Sequence, residues 1–252
     1  MGCAELTATG PGASLTYTED ARLAYEEAMT AFRDKRWEDA RSMFGEVQKL
    51  FPYSRFGRLA ELRLADVEFE QEKYSESVSA YREWIINHRT DPDVEYAKYR
   101  ITKALFLGVD DTVLLPPTEE RDGAGLIDAH RDLKGFLERY PMSRYREEAA
   151  YMLDAVTGRL VRHELYVARY YLDRDVFEAA ILRIDYALTK YAGSSLEPEA
   201  LVLKGETLLK MKKRDDARKL FQQVIDVHGG PFATTARAFL DEMGPSAGAA
   251  TP

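Results

Sequence analysis

Ala40-Arg41-Ser42-Met43-Phe44-Gly45-Glu46-Val47-Gln48-Lys49-Leu50-Phe51 decides the fold. Ala40, Phe44, Val47 and Phe51 follow one another at intervals of 4, 3 and 4 residues, which places four side chains on one face of an α-helix. The same order of small, bulky, bulky, then aromatic or His, returns four more times, with Ala187 in the second bulky place of one copy. The later copies are Ser77, Tyr81, Trp84, His88; Ala129, Leu133, Phe136, Tyr140; Ala180, Ile184, Ala187, Tyr191; and Ala217, Phe221, Val224, His228. Their first residues lie 37, 52, 51 and 37 positions apart. A tetratricopeptide unit repeats every 34 residues or so, about the shorter of these intervals, and the longer ones then carry insertions. The pattern predicts an all-α chain, a right-handed superhelical solenoid of five tetratricopeptide-like helix hairpins.

The punctuation agrees. Polar turns (Asp34-Lys35-Arg36, Glu70-Gln71-Glu72-Lys73, Asp173-Arg174-Asp175, Lys212-Lys213) separate the first, A, helix of a hairpin from the second, B. Stops at Pro52, Pro141, Gly193-Ser194-Ser195 and Gly229-Gly230-Pro231 follow the B helices. Helix is expected to begin near Thr18, which can cap it. Residues 1–18 then form a leader, 19–125 an N-terminal module, 126–243 a C-terminal module and 244–252 a tail. The insertion from Leu107 to Gly125 holds Pro116-Pro117 and Gly123-Ala124-Gly125 and reads as a long loop. Arg144 to Leu172 has no breaker but Gly158 and reads as one long helix or two kinked ones. Trp37, Tyr74, Leu126 and Phe177 each stand three before a stripe, where the fifth repeat has Arg214, which suggests a less buried end.

A net charge of −8 disfavours nucleic acid as a partner, because phosphate binding draws its energy from Lys and Arg. No uninterrupted apolar run near 18 residues predicts a spanning helix. The four histidines share no metal-binding spacing, and no phosphate loop or nucleophile elbow occurs, so neither enzyme, metal nor cofactor is expected. Cys3 is the single cysteine. Gly2-Cys3-Ala4 with a polar stretch after it fits the end of a lipobox, while a cysteine so placed is more often a passive tail residue or a tag remnant.

A binding module remains. A helices of stacked hairpins line a groove suited to an extended peptide. The expected groove residues are Tyr25, Met29 and Phe32, then Leu62, Asp66 and Phe69, then Tyr96, Tyr99, Arg100 and Lys103. Aromatics beside two cations suit apolar side chains and a terminal carboxylate, and the same rings also suit packing between helices.

Four segments carry a family resemblance: Phe51-Pro52-Tyr53-Ser54, Glu95-Tyr96-Ala97-Lys98-Tyr99-Arg100, the run from Phe136 to Tyr145, and Tyr166-Val167-Ala168-Arg169-Tyr170-Tyr171. Together they resemble the BamD family, tetratricopeptide lipoproteins of the outer-membrane β-barrel assembly machinery, over residues 21–230. The resemblance implies acyl groups on Cys3, a place on the periplasmic face of the outer membrane, and a non-enzymatic role. It also implies contacts with other lipoproteins of the assembly complex. N-terminal repeats would take C-terminal segments of unfolded outer-membrane proteins, and C-terminal repeats the last periplasmic domain of BamA. The family's basic contact residue matches Arg183, within Ala179-Ala180-Ile181-Leu182-Arg183-Ile184. Leu114-Leu115-Pro116-Pro117 has no match in the family pattern. The alternative is a generic tetratricopeptide adaptor of another envelope or cytoplasmic complex.

Overall fold

The computed structural model describes residues 11–109 and 123–244, and every regular element among them is a helix. In chain order these are α1 (Pro11–Arg33), α2 (Trp37–Leu50), α3 (Arg55–Glu70), α4 (Tyr74–Asn87), α5 (Val94–Leu107), α6 (Ala124–Arg139), α7 (Arg146–Leu172), α8 (Phe177–Lys190), α9 (Glu197–Lys210), α10 (Arg214–Val227) and α11 (Gly230–Met243). The even-numbered helices carry the five stripes, and the first three residues of every stripe are buried. The all-α, tetratricopeptide-type reading is what the helices form. The chain divides into two compact units, Met1–Gly108 with Glu138–Tyr145, and Val109–Leu137 with Arg146–Pro252.

Four A-to-B turns share one device. Lys35, Glu72, Asp175 and Lys212 all take the left-handed conformation, with φ of 59°, 61°, 59° and 63°. Behind each, two N–H groups reach back to the end of the A helix. In the first turn these are Lys35 N to Phe32 O at 3.1 Å and Arg36 N to Ala31 O at 3.0 Å. This closure satisfies carbonyls that a helix end otherwise leaves without partners, and glycine usually supplies it. Here non-glycine residues do so, which is why the turns look merely polar in the sequence.

In the first unit α1, α2 and α3 pack around Ala28, Ala31, Ala40, Phe44, Val47, Ala60 and Val67. A second cluster joins α3, α4 and α5 through Leu62, Phe69, Val78, Tyr81, Trp84 and Ile101. The entry to α3 is fixed by Ser54, whose Oγ accepts from the Gly57 N–H at 2.9 Å. Gly57 admits no side chain, because a Cβ would overlap the carbonyl oxygen of Phe51. In the second unit Leu201, Val202, Leu208, Phe221, Val224 and Ala236 form the core of α9, α10 and α11.

The helices depart from the sequence reading at three places. α1 starts at Pro11 rather than near Thr18. Proline suits a first helical position, and the Tyr17 ring packs edge-on against Phe51 at 5.2 Å, which extends the helix beyond its expected cap. Ala124 and Gly125 belong to α6 rather than to the loop. α11 follows the fifth hairpin and explains Arg214: Arg214 Nη2 donates to Met243 O at 2.8 Å and Arg218 Nη2 to Gly244 O at 2.6 Å. Two guanidinium groups thus close the carbonyl end of α11, where the helix dipole favours a positive charge. α7 is one continuous helix through Gly158. Cys3, residues 110–122 of the expected loop and 245–252 of the expected tail lie outside the described residues.

Candidate functional site

Asp66 is the centre of the first unit's polar chemistry. It sits on α3 with 1% of its surface exposed, and a carboxylate so buried must be neutralised by partners. Four side chains surround it. The phenol of Tyr81, from α4, donates to Oδ1, and that of Tyr96, from α5, donates to the same oxygen at 2.8 Å. Arg63, one turn earlier on α3, bonds Oδ2. Arg100, from α5, places Nε 3.5 Å from Oδ1 and donates from the same nitrogen to the Tyr81 hydroxyl at 3.1 Å. Arg63 Nε also reaches the Tyr25 hydroxyl on α1 at 3.2 Å, so the network ties α1, α3, α4 and α5 together.

The two cations are held between rings. Arg100 lies over Phe69, 3.7 Å from the ring centroid, and Arg63 lies 5.3 Å from that of Tyr96. Burial and then the Asp66 charge push the Tyr81 and Tyr96 phenols well above the ordinary tyrosine value, while Arg100 pulls them the other way. Burial works against charge on Arg63, but Asp66 and the neighbouring phenols outweigh it and hold that guanidinium further toward its charged form. Arg100 behaves alike, through Tyr81 and Asp66. Its side chain is 13% exposed, and its outer nitrogen Nη2 bonds Glu70 Oε1 at 2.8 Å.

Of the residues expected to line a groove, Tyr25, Asp66, Phe69, Tyr96 and Arg100 come together in this network. Tyr99 and Lys103 fall beside it: Tyr99 is buried and stacks on Tyr145 with centroids 4.0 Å apart, and Lys103 Nζ lies 3.4 Å from the Tyr99 hydroxyl. Met29 packs against the first core cluster rather than on the network. The sequence reading left out Arg63, Glu70, Tyr81 and Tyr145. Tyr81 was assigned to the core stripe, and it does both jobs, ring inward and hydroxyl on Asp66. The signal for Arg63 was its place three residues before Asp66, a one-turn ion pair.

Arg183 belongs to the second unit. Its side chain is 45% exposed, and Nη1 donates to Glu164 Oε2 of α7 at 3.2 Å. On the same helix Leu182, the residue before Arg183, and Tyr186, one turn on, are also exposed. His88, at the last stripe position of the second repeat, packs on Trp84 and bonds Glu61 at 2.8 Å. Among the described residues no group of three or more His, Cys, Asp or Glu side chains is arranged to hold a metal ion, and no helix is long and apolar enough to cross a membrane.

Helix pairs built on this stripe and this turn, with cations set among rings on the A helices, define a tetratricopeptide-type binding scaffold. The family model of YfiO, described as outer membrane lipoprotein, matches residues 18–223, and the chain belongs to that family. A relative from Xylella fastidiosa (strain 9a5c), named outer membrane protein assembly factor BamD, is 26% identical over 206 residues, covering 79% of this chain and 70% of its own. A relative of the same name from Caulobacter vibrioides is 26% identical over 207 residues, covering 82% of this chain and 66% of its own. Among solved structures, the TPR2AB domain of yeast Sti1 in a pHSP90 complex overlays with a TM-score of 0.43 and 12% identity, over 89% of this chain and 85% of that one. So loose an overlay adds nothing to the family assignment, which rests on the match of the family model over residues 18–223.

Proposed function

We propose that this chain is a non-enzymatic assembly factor for outer-membrane β-barrel proteins, held at the periplasmic face of the outer membrane by acyl groups on Cys3. Its first unit takes the C-terminal segment of an unfolded barrel protein, and its second unit meets BamA through Arg183. Family membership and the names of the curated relatives support the assembly role. The observation that carries the peptide reading is Arg100: a guanidinium bedded on Phe69, braced from inside by Asp66 and Tyr81, with its outer nitrogen toward the surface. A cation so positioned forms a charge-assisted bond to a terminal carboxylate, while neighbouring rings contact apolar side chains of an extended peptide.

The test is a fluorescence-anisotropy titration of the full chain with a labelled peptide ending in Phe, its terminus either free or amidated. Wild type should bind the free form at least about tenfold tighter, about the 1.4 kcal/mol of one charge-assisted bond, and Arg100→Ala should abolish the preference. If neither amidation nor Arg100→Ala weakens binding, the carboxylate reading is wrong. For the anchor, the native full-length gene and its Cys3→Ser variant are fractionated, and equal membrane retention of the two would remove it. Acyl chains contribute about 0.8 kcal/mol per buried CH₂, an attachment that a body of charge −8 lacks by electrostatics.

A further inference from the structure

We infer that Glu70 is a specificity-determining residue of the peptide site, an internal stand-in for the ligand carboxylate that an incoming C-terminus must displace. The inference rests on the peptide reading above, and it follows from how unequally the two partners of the Arg100–Glu70 pair are held.

Arg100 is fixed. Its Cζ lies 3.7 Å from the Phe69 centroid, its Nε donates to the Tyr81 hydroxyl at 3.1 Å, and Asp66 stands 3.5 Å from the same nitrogen. Glu70 is the last residue of α3, and its side chain is 39% exposed. Its carboxylate accepts from Arg100 Nη2 at 2.8 Å, on the outer edge of a guanidinium whose side chain is otherwise 13% exposed. A carboxylate arriving from solvent meets Arg100 at that same edge, so it either displaces Glu70 Oε1 from Nη2 or must sit beside that like charge on the same nitrogen. The exchange swaps one charge-assisted bond for another and places two carboxylates near one cation, which disfavours both at once.

Such an arrangement selects by what it excludes. A peptide whose end is neutral recovers nothing for opening the pair, and a stray carboxylate without apolar neighbours gains no more than Glu70 already gives. Only a segment that also fills the aromatic surroundings gains a net benefit. Because the unliganded site is held mostly in the Glu70-bound form, affinity for the right peptide is reduced by the fraction of sites open. An ion pair of this exposure holds the site closed by a factor of about two to five, the factor by which removing Glu70 should tighten binding.

The test uses the full chain and the same Phe-terminated peptide, free or amidated, with wild type, Glu70→Gln and Arg100→Ala, at two salt concentrations. Glu70→Gln should tighten the free-terminus peptide about two- to fivefold, leave the amidated peptide unchanged, and lower the melting temperature by no more than about 4 °C, the small loss expected of an ion pair of this exposure. Unchanged affinity in Glu70→Gln, or equal tightening of both peptides, overturns the inference while a loss in Arg100→Ala leaves the peptide reading standing. If no peptide binds, or Arg100→Ala and amidation are both without effect, the peptide reading fails and the role of Glu70 fails with it.

Discussion

Asp66→Asn is the sharpest test of the network, because it keeps the side chain's shape and removes its charge. Tyr81 and Tyr96 both donate to Oδ1, and an amide oxygen can still receive both. The amide nitrogen then faces Arg63 Nη1, donor against donor, at the place where the carboxylate Oδ2 accepted. Arg63 and Arg100, with side chains 23% and 13% exposed, lose the counter-charge they share, and Arg100 keeps only Glu70 at its outer edge. Breaking a buried pair by removing one partner costs about 3–5 kcal/mol, and the Tyr bonds that survive bring this toward about 3 kcal/mol. At about 2–4 °C per kcal/mol the melting temperature should fall by about 6–12 °C. Circular dichroism in urea and on heating reads both quantities. Tyr96→Phe, which removes one of two donors to a single oxygen, should cost only about 1 kcal/mol. A loss under about 0.5 kcal/mol for Asp66→Asn, the level of an ordinary surface substitution, would refute the claim that Asp66 is a buried charge holding α3, α4 and α5 together.

Other perturbations separate the parts of the fold. Gly57→Ala should cost about 2 kcal/mol or more in urea unfolding, because the new Cβ meets a backbone carbonyl that cannot step aside. Lys35→Gly should raise stability by about 0.5–1 kcal/mol, read as a higher urea midpoint, since a left-handed φ of 59° costs lysine more than glycine. Tyr81 and Tyr96 are pushed up from the ordinary value by burial first and Asp66 second, so the folded state keeps protons that the unfolded chain releases above about pH 10. Their contribution is complete below about pH 10 and is lost as pH climbs toward the folded values, and Tyr81→Phe should flatten that fall in urea midpoint. Arg183→Ala should weaken binding to BamA's last periplasmic domain by about 2 kcal/mol or more, measured by titration, with stability reduced by less, about 1 kcal/mol, because Arg183 is 45% exposed although Glu164, which loses its partner, is only 10% exposed. Equal losses in binding and melting would make Arg183 a structural residue.

The stripes were legible because each is local: a 4-3-4 spacing says which face of one helix is buried without reference to any other helix. The B helices therefore matched the reading residue for residue at their first three positions. Polar residues mark where their turns lie but not how they close, since Lys35, Glu72, Asp175 and Lys212 carry no sequence mark of a left-handed conformation that glycine usually signals. Arg214 is exposed, as an arginine in an aromatic's place reads, but its partner is a backbone carbonyl 29 residues on, at the end of a helix the repeat pattern does not contain.

The same limit governs the site. Tyr25, Phe69, Tyr96 and Arg100 could be chosen because A-helix positions one turn apart share a face. What those residues do to each other depends on pairings 15, 19 and 30 positions apart in the chain, which no periodicity displays. Net charge is silent on it as well: within a body of −8, Arg63 and Arg100 face Asp66 and Glu70, two cations against two carboxylates, one buried and one at the surface. The cation that a peptide terminus would find is therefore a product of two intramolecular carboxylates of unequal burial. Asp66, at 1% exposure, fixes the geometry and stays, while Glu70, on the surface, is the one that can leave.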